Sequence, residues 1–390
     1  MLPTIEMRKV MIIGAGFAGL SAARKLAQCG LGLEITLFDK KEDSAFLPLL
    51  PDCLGRGVNP EFLLSNIENF CGKLKIKRVR EEAAAVDFES QQVVTLASKY
   101  AYDFLIIASG SQTNFFSNQA AQNYAYALNN INDLKPITEA LEGNKFEYFI
   151  ICGGGYTGVE IAANLWLYFK KAGRDKKIII VERAPVILGP LPDWIKTYVQ
   201  NNLKSMGVEI LANSVIEEIQ KDRVRVSGRP VFEKAMLIWS PGVRTADFIQ
   251  QLPVAKNPQG RIVVDEYLRA NPHCFCAGDT AFFGDKNNFL RMAVQFAINQ
   301  GNQAAVNIIR SIKNLPLKKF RPLDLGYIIP LANNKSCGEV FGFKLKGLLP
   351  TALHFIMCIF RSAGFKNKVG IISDLIKSLP GPYFIGPGKV

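Results

Sequence analysis

Two short stretches of this 390-residue chain each place three glycines directly after a run of apolar residues. The first, KVMIIGAGFAGL, covers residues 9–20, and the second, YFIICGGGYTGVE, covers residues 148–160. In both, a buried strand is predicted to end at the first glycine, and a helix is predicted to begin after the second. A strand, a glycine turn and a helix in this order form the phosphate-binding unit of dinucleotide-binding folds. The chain is therefore predicted to contain two such units.

The first loop has the residues that this chemistry requires. Gly14 permits the tight turn, Gly16 lets a pyrophosphate approach the backbone, and Gly19 allows the helix to pack closely. The helix N-terminus supplies N–H donors and the positive end of the helix dipole. Asp39 ends the next apolar run, LEITLFD, where its carboxylate is placed to accept from ribose hydroxyls.

The second loop repeats the arrangement, with glycines at 153, 155 and 158 and with Glu182 at the end of the run KIIIVE. A carboxylate at this position accepts from free 2′- and 3′-hydroxyls and repels a 2′-phosphate, which favours NADH over NADPH. Arg183, the next residue, opposes that preference. The three glycines of this second loop are Gly153, Gly155 and Gly158.

Each loop is followed by an apolar strand that ends in glycine, DFLIIASG at 103–110 and AMLIWSPG at 235–242. A third such strand ends at Gly278 and Asp279, and an Asp after a glycine turn can bond a sugar-like polyol. The duplication predicts an α/β fold with two nested Rossmann-like domains. The predicted boundaries are 1–115 and 251–320 for the first domain, 116–250 for the second and 321–390 for a C-terminal region.

The C-terminal region carries most of the charge. The chain has a net charge of +13, and residues 311–390 contain twelve Lys and Arg against three Asp and Glu. Its longest apolar run, GLLPTALHFIMCIF at 347–360, contains Pro350 and is shorter than the roughly 20 residues that span a bilayer. Basic residues on both sides favour a segment lying in the headgroup region of an anionic membrane, and the alternative is a buried helix with a solvated rim.

Cysteine and histidine usage argues against several classes of site. The eight cysteines form no CxxC, and the only histidines are His273 and His354, so neither a disulfide framework nor a metal site is expected. The first apolar run begins about ten residues into the chain, which leaves no room for a signal or transit peptide. A cytosolic, reduced protein is expected.

The motifs GAGFAG, LIIASG, GGGYTGVE, LIWSPG and CAGD, in this order, resemble those of the pyridine nucleotide-disulfide oxidoreductase-like flavoproteins with two dinucleotide-binding domains. Within that group, AFLPLLPDCLGRGVNP at 45–60 and AVQFAINQG at 293–301 resemble the type II NADH:quinone oxidoreductases. The resemblance implies FAD in the first domain and NADH in the second. It also implies two-electron reduction of a membrane quinone, menaquinone or ubiquinone, without proton pumping, on the cytoplasmic face of the cell membrane as part of a respiratory chain.

The resemblance also implies roles for individual residues. Asp39 would bind the FAD ribose, Asp279 the ribitol, and Glu160 would lie near the nicotinamide. The helix predicted to begin near Leu290 would direct its N-terminus to the flavin pyrimidine ring, and Val294 on it would contact the cofactor. A positive helix end there would stabilise an anionic reduced flavin. The other positions predicted to contact the cofactors are Phe17, Ala18, Lys40, Ser109, Gly110, Tyr156, Thr157 and Gly242.

This chain departs from the quinone motif of the family. The motif reads Ala-Gln-x-Ala-x-Gln, and this chain has Val-Gln-Phe-Ala-Ile-Asn at 294–299. Gln295 and Asn299 are four residues apart and share a helix face, so both are predicted to contact the quinone. Gln300 is the predicted substitute for the shorter Asn299. The alternative is a polar helix face bonded to the backbone.

Two rival functions share many of these features. A sulfide:quinone oxidoreductase needs two flavin-facing cysteines, whereas Cys152 precedes the second loop and Cys337 has no obvious partner. A redox-sensing FAD- and NADH-binding protein would use its basic tail on nucleic acid, but the basic residues here bracket apolar runs, so no nucleic acid is expected. The predicted partners are the quinone, an anionic membrane surface and, for a homodimer, a second copy of the chain.

Overall fold

The computed structural model describes residues 7–285 and 289–378, so the outer ends of the first and last predicted domains, 1–6 and 379–390, lie outside the described residues. The strands are β1 Lys9–Ile13, β2 Glu34–Phe38, β3 Asp43–Ala45, β4 Leu64–Asn66, β5 Lys77–Val79, β6 Ala85–Asp87, β7 Gln92–Val94, β8 Lys99–Ala101, β9 Phe104–Ile107, β10 Gln112–Thr113, β11 Tyr126–Ala127, β12 Tyr148–Cys152, β13 Lys177–Val181, β14 Glu209–Leu211, β15 Ile216–Gln220, β16 Arg223–Val226, β17 Phe232–Glu233, β18 Ala235–Trp239, β19 Val243–Arg244, β20 Ile262–Val263, β21 Arg269–Asn271, β22 Cys274–Cys276, β23 Ala281–Phe282, β24 Gly326–Ile329, β25 Ser336–Val340 and β26 Phe343–Gly347. The helices are α1 Phe17–Ala27, α2 Leu50–Gly55, α3 Ile67–Leu74, α4 Gln119–Tyr124, α5 Leu134–Glu142, α6 Tyr156–Lys171, α7 Asp193–Ser205, α8 Asp247–Gln251, α9 Val294–Ile312, α10 Leu348–Arg361 and α11 Phe365–Ser378.

The chain divides into two compact units. Unit 1 comprises the described residues of Met1–Ser44, Ser65–Gln112 and Val243–Leu325, and unit 2 those of Ala45–Leu64, Thr113–Gly242 and Gly326–Val390. Besides boundary shifts of three to eight residues, the predicted domains differ from these units in two larger respects. Residues 45–64 belong to unit 2 rather than to the first domain, and the C-terminal residues from 326 are part of unit 2 rather than a separate region.

Unit 1 contains a six-stranded sheet in the order β21-β22-β9-β1-β2-β5. All neighbours are parallel except the edge pair β21 and β22. Its central strands are continuous, buried apolar runs, as expected for a parallel sheet that is covered on both faces. One face packs against α1 and α9, and the other against the antiparallel β6-β7-β8 sheet. The predicted α/β fold with parallel sheets is confirmed.

The contact between α1 and α9 requires glycine at its crossing point. A Cβ atom built on Gly301 of α9 would lie 2.1 Å from the backbone oxygen of Ala18 in α1. The two helices therefore pack backbone to backbone. This close approach fixes α9, which carries the predicted quinone residues, against the helix of the first glycine loop.

Unit 2 contains a parallel five-stranded sheet in the order β11-β18-β12-β13-β14. Helices α5, α6 and α7 cover one face, and α4 with the antiparallel β15-β16-β17 sheet covers the other. The order places β12, which leads into the second glycine loop, between β18 and β13. The ends of these three strands therefore lie side by side at the carboxyl edge of the sheet.

The C-terminal elements complete unit 2. The antiparallel β24-β25-β26 sheet packs against α10, and α11 packs against the turn Pro60–Leu63. A Cβ atom on Gly370 of α11 would lie 2.5 Å from the Phe62 ring, and Asp374 Oδ2 accepts from the Asn59 N–H (3.0 Å). These contacts explain why the C-terminal region is not separate. Among the described helices, none has the length and apolarity needed to cross a membrane.

Candidate functional site

The two glycine loops have the same backbone geometry. Gly14 and Gly153 both adopt a φ of 103°, which is strained for a residue with a side chain. A Cβ atom on Gly19 would lie 1.8 Å from the Gly14 oxygen, and one on Gly158 would lie 2.0 Å from the Gly153 oxygen. The first and third glycines of each loop thus have the steric reasons that the sequence predicts for them.

The middle glycines leave space for a ligand. A Cβ atom on Gly16 or Gly155 would meet no protein atom within 4 Å. Each precedes a helix, α1 or α6, and within the described residues no side chain caps either helix. The open N–H groups and the helix dipole suit the pyrophosphate of a dinucleotide. Both loops therefore fit the predicted cofactors.

A carboxylate braces each loop from the next strand. Asp39 Oδ2 accepts from the Ala15 N–H (2.8 Å), and Glu182 Oε2 accepts from the Gly154 N–H (2.7 Å). The second oxygen of each accepts from the backbone N–H two residues further on, at 2.9 Å for Asp39 and 2.7 Å for Glu182. Because a carboxylate has about four acceptor positions, each acid retains capacity for ribose hydroxyls.

Asp279 follows β22 and is held by residues that sequence reasoning missed. Ser111 Oγ donates to Asp279 Oδ2 (2.7 Å), and the buried Arg261 donates from Nε to the Asp279 backbone oxygen (2.9 Å). Ser111 directly follows the predicted Gly110, so its position in LIIASGS was an available signal. Arg261 lies in no recognisable motif, and its role depends on contacts that the sequence does not display.

The three predicted quinone residues on α9, all with amide side chains, have three different environments. Gln295 Nε2 donates to Asp324 Oδ1 (3.1 Å), and its Oε1 accepts from the Leu325 N–H (3.2 Å). Gln300 is buried, and its Oε1 accepts from the Gly278 N–H (2.8 Å). Asn299 is half-buried, and its carboxamide has no hydrogen-bond partner among the described residues.

These environments change the predicted roles. Gln300 holds the loop that carries Asp279, because its Oε1 accepts from the Gly278 N–H. Gln295 connects α9 to the segment after Asp324, which agrees with the alternative of a polar helix face bonded to the backbone. Asn299 is the predicted quinone residue whose polar atoms remain available. Val294 begins α9, and no side chain caps this end within the described residues.

Glu160 lies on α6 in a half-buried position within unit 2. Burial, and then the negative charge of Asp52, raises the pKa of its carboxyl group to about 8. Burial also raises the pKa of Asp52 to about 6, although Arg56 Nε donates to its carboxylate at 3.0 Å. His354 has a pKa lowered to about 4, by burial and then by Arg56. Glu160 and His354 are therefore both neutral at pH 7.

No sequence motif connects these four residues. Asp52 and Arg56 come from α2, Glu160 from α6 and His354 from α10, so they meet only in the folded chain. The proximity of Asp52 and Arg56 in LPDCLGR, four residues apart, was the only local signal.

The remaining polar chemistry is limited. All eight cysteines are free, and burial raises the pKa of both Cys152 and Cys337 to about 12. Neither thiol is therefore a thiolate at neutral pH. In residues 7–285 and 289–378, no group of three His, Cys, Asp or Glu side chains could hold a metal ion.

Comparisons with known proteins agree with this geometry. Proteins named type II NADH:quinone oxidoreductase from Staphylococcus epidermidis and Staphylococcus aureus are 26% identical over 370 residues, which cover 88% of this chain and 92% of each relative. The solved structure of NDH2 from Plasmodium falciparum in complex with NADH matches with a TM-score of 0.84 at 18% identity, covering 96% of this chain and 98% of that one. The resemblance predicted from the motifs is confirmed.

A more distant type of enzyme shares the same fold. The sulfide:quinone oxidoreductase from Aquifex aeolicus matches with a TM-score of 0.80 at 18% identity, covering 93% of this chain and 92% of that one. Residues 8–301 match the family model described as pyridine nucleotide-disulphide oxidoreductase. Because that match spans both glycine loops and most of the chain, this protein belongs to the pyridine nucleotide-disulphide oxidoreductase family.

Proposed function

We propose that this protein is an FAD-dependent type II NADH:quinone oxidoreductase. The observation that carries the proposal is the pair of matched glycine loops, each braced by an acid, in a chain whose relatives bear that name over nearly their whole length. The balanced reaction converts NADH, one proton and a quinone into NAD⁺ and a hydroquinone. It moves no charge across a membrane.

Unit 1 supplies the groups that suit FAD. The N–H groups at the start of α1 would bind its pyrophosphate, Asp39 its ribose and Asp279 its ribitol. Ser111 and Arg261 hold Asp279 in place for that contact. FAD, when bound, supplies a two-electron carrier between the nicotinamide and the quinone. The open N-terminus of α9 would place positive potential near a reduced, anionic carrier.

Unit 2 supplies the groups that suit NADH. The start of α6 would bind the pyrophosphate, and Glu182 would accept from the adenosine ribose hydroxyls. Its negative charge would repel the 2′-phosphate of NADPH. Glu160 is protonated at neutral pH because of its burial and the charge of Asp52, so its carboxyl group is able to donate a hydrogen bond near the nicotinamide.

For the quinone, Asn299 is the favoured contact. Its carboxamide has no partner among the described residues, whereas Gln295 is held at both ends of its amide group. An amide N–H of Asn299 would donate to a quinone carbonyl oxygen. Gln295 would act indirectly, by fixing the N-terminal turn of α9 against Asp324.

The C-terminal helices support peripheral binding to the cytoplasmic face of a membrane. Helices α10 and α11 each expose a row of apolar side chains at helical spacing, and Lys366 and Lys377 lie exposed on α11. Such a surface suits the headgroup region of an anionic leaflet. The exposed apolar side chains are Leu348, Leu349, Ile356, Met357, Phe360, Phe365, Val369, Ile372 and Ile376.

Electron-donor selectivity tests the proposal against its closest rival. Steady-state assays of the full chain with a water-soluble quinone would compare NADH, NADPH and sulfide as donors. NADH should support the fastest quinone reduction and sulfide none, because neither Cys152 nor Cys337 is a thiolate at neutral pH. Sulfide-driven reduction without NADH turnover would refute the proposal.

A further inference from the structure

A short aromatic loop at residues 114–118 of unit 2 has a conformation that the features described so far do not explain. Phe116 is 60% exposed, although its side chain is large and apolar. Its φ is 50° and that of Ser117 is 59°, so two successive residues with side chains adopt the left-handed region. This backbone is unfavourable, and such strain persists only where surrounding contacts enforce it.

The contacts that enforce it come from the end of β18. The Asn114 N–H donates to the Gly242 oxygen (3.0 Å), and Trp239 Nε1 donates to the Asn114 oxygen (2.8 Å). The Phe116 N–H donates to Asn114 Oδ1 (2.8 Å), and the Phe115 ring stacks on Trp239 with centroids 6.1 Å apart. The loop is therefore fixed to β18, and the exposed Phe116 ring is held in one place.

That place is beside the second glycine loop. A Cβ atom on Gly242 would lie 3.2 Å from the Phe116 ring, so the ring covers the residue that follows Pro241. Pro241 itself packs against Gly153, since a Cβ atom on Gly153 would lie 2.9 Å from the Pro241 Cα. The Phe116 ring thus lies against Gly242, the residue next to the one that packs against the glycine loop.

The order of the strands in the sheet indicates which half of a bound dinucleotide would pass the Phe116 ring. Glu182 follows β13, the glycine loop follows β12 and Gly242 follows β18, and these strands are neighbours in the order β13-β12-β18. A dinucleotide with its adenosine ribose at Glu182 and its pyrophosphate at the loop extends its other half across the end of β18. Its nicotinamide half therefore passes Gly242, where Phe116 offers an exposed aromatic face.

We propose that Phe116 forms an aromatic wall of the nicotinamide half of the NADH site, and this inference rests on the proposed use of NADH. The Phe116 ring packs against the nicotinamide ring itself, and the strained loop keeps the Phe116 ring exposed for that contact. Aromatic contacts of this kind are worth enough to change affinity about three- to tenfold.

Two probes separate a ring contact from a general effect on the fold. Binding of NAD⁺ and of ADP-ribose, which lacks the nicotinamide, would be measured by titration calorimetry with the full chain containing FAD. Phe116→Ala should weaken NAD⁺ binding about three- to tenfold and leave ADP-ribose binding unchanged. Phe116→Tyr should restore NAD⁺ binding, and Tyr124→Ala, which removes another exposed aromatic ring of unit 2, should change neither affinity.

Phe116→Gly provides a second variant that separates the ring from stability. Glycine adopts a positive φ without strain, so this variant should unfold at a higher temperature than Phe116→Ala. It should lose as much NAD⁺ affinity as Phe116→Ala does. Equal weakening of NAD⁺ and ADP-ribose, or no weakening of NAD⁺, would overturn the inference. A parent protein that binds neither probe would instead overturn the proposed use of NADH, and the inference with it.

Discussion

At the scale of single residues, Glu160 is the described carboxyl group of unit 2 whose pKa is raised furthest. An acid with a higher pKa in the folded chain binds more protons when folded, so the free energy of unfolding falls as pH rises from about 4.5 to about 8. Glu160→Gln removes this proton binding. At pH 9 the variant should therefore unfold at a temperature at least about 2 °C above the parent, and at about pH 4, below the unfolded pKa, the difference should nearly vanish. Thermal unfolding followed by circular dichroism at both pH values checks this, and identical pH dependence in the two proteins would contradict it.

Glu182 carries a second prediction at this scale. Glu182→Gln keeps an oxygen for one of the two backbone N–H groups that donate to Glu182, those of Gly154 and Ala184, and removes the charge that repels a 2′-phosphate. The preference for NADH over NADPH, measured as the ratio of kcat/KM, should fall about tenfold. Arg183→Ala is the matched control, and it should raise the preference. A ratio unchanged by Glu182→Gln would rule out charge repulsion as the basis of the preference.

At the scale of elements, helix α9 separates two roles among its amide side chains. Asn299→Ala should slow flavin reoxidation by quinone up to about tenfold, because one donor worth about 0.5 to 1.5 kcal/mol is lost, and should leave flavin reduction by NADH unchanged. Gln295→Ala should lower thermal stability, because the Asp324 and Leu325 partners lose their contact. Stopped-flow measurement of both half-reactions distinguishes the two. Slower reduction by NADH in Asn299→Ala would show a structural role for that residue.

Helices α10 and α11 form the proposed membrane surface, and their inner faces pack against other elements of unit 2. Removing the helices would expose the surfaces that they cover, so surface substitutions are the better test. Replacing Ile356, Phe360, Val369 and Ile376 by serine should weaken binding to vesicles containing anionic phosphatidylglycerol by about tenfold or more. FAD content should remain normal. Leu96→Ser, which changes an exposed apolar residue of unit 1, is the control, and full vesicle binding by the fourfold variant would refute this surface.

At the scale of the whole molecule, local patterns predicted the elements and the glycine loops. The apolar run before Gly14 and the helical pattern after Gly16 lie in one short stretch. The strand and the helix that they form therefore depend on residues close together in the sequence. The partners of Gln295 and Gln300 could not be predicted in this way, because Asp324 and Gly278 are distant in sequence and were in no motif with them. The assignment of residues 45–64 to unit 2 has the same cause, since it depends on packing against elements more than a hundred residues further on.

The order of electron transfer tests the central claim most directly. The full chain containing FAD would be mixed anaerobically with NADH in a stopped-flow spectrometer, and a ubiquinone or menaquinone analogue would be added in a second mixing step. The account predicts that NADH bleaches the flavin much faster than NADPH does, and that one equivalent of quinone restores the oxidised absorbance. A flavin that NADH does not bleach, or that neither quinone reoxidises, would contradict it.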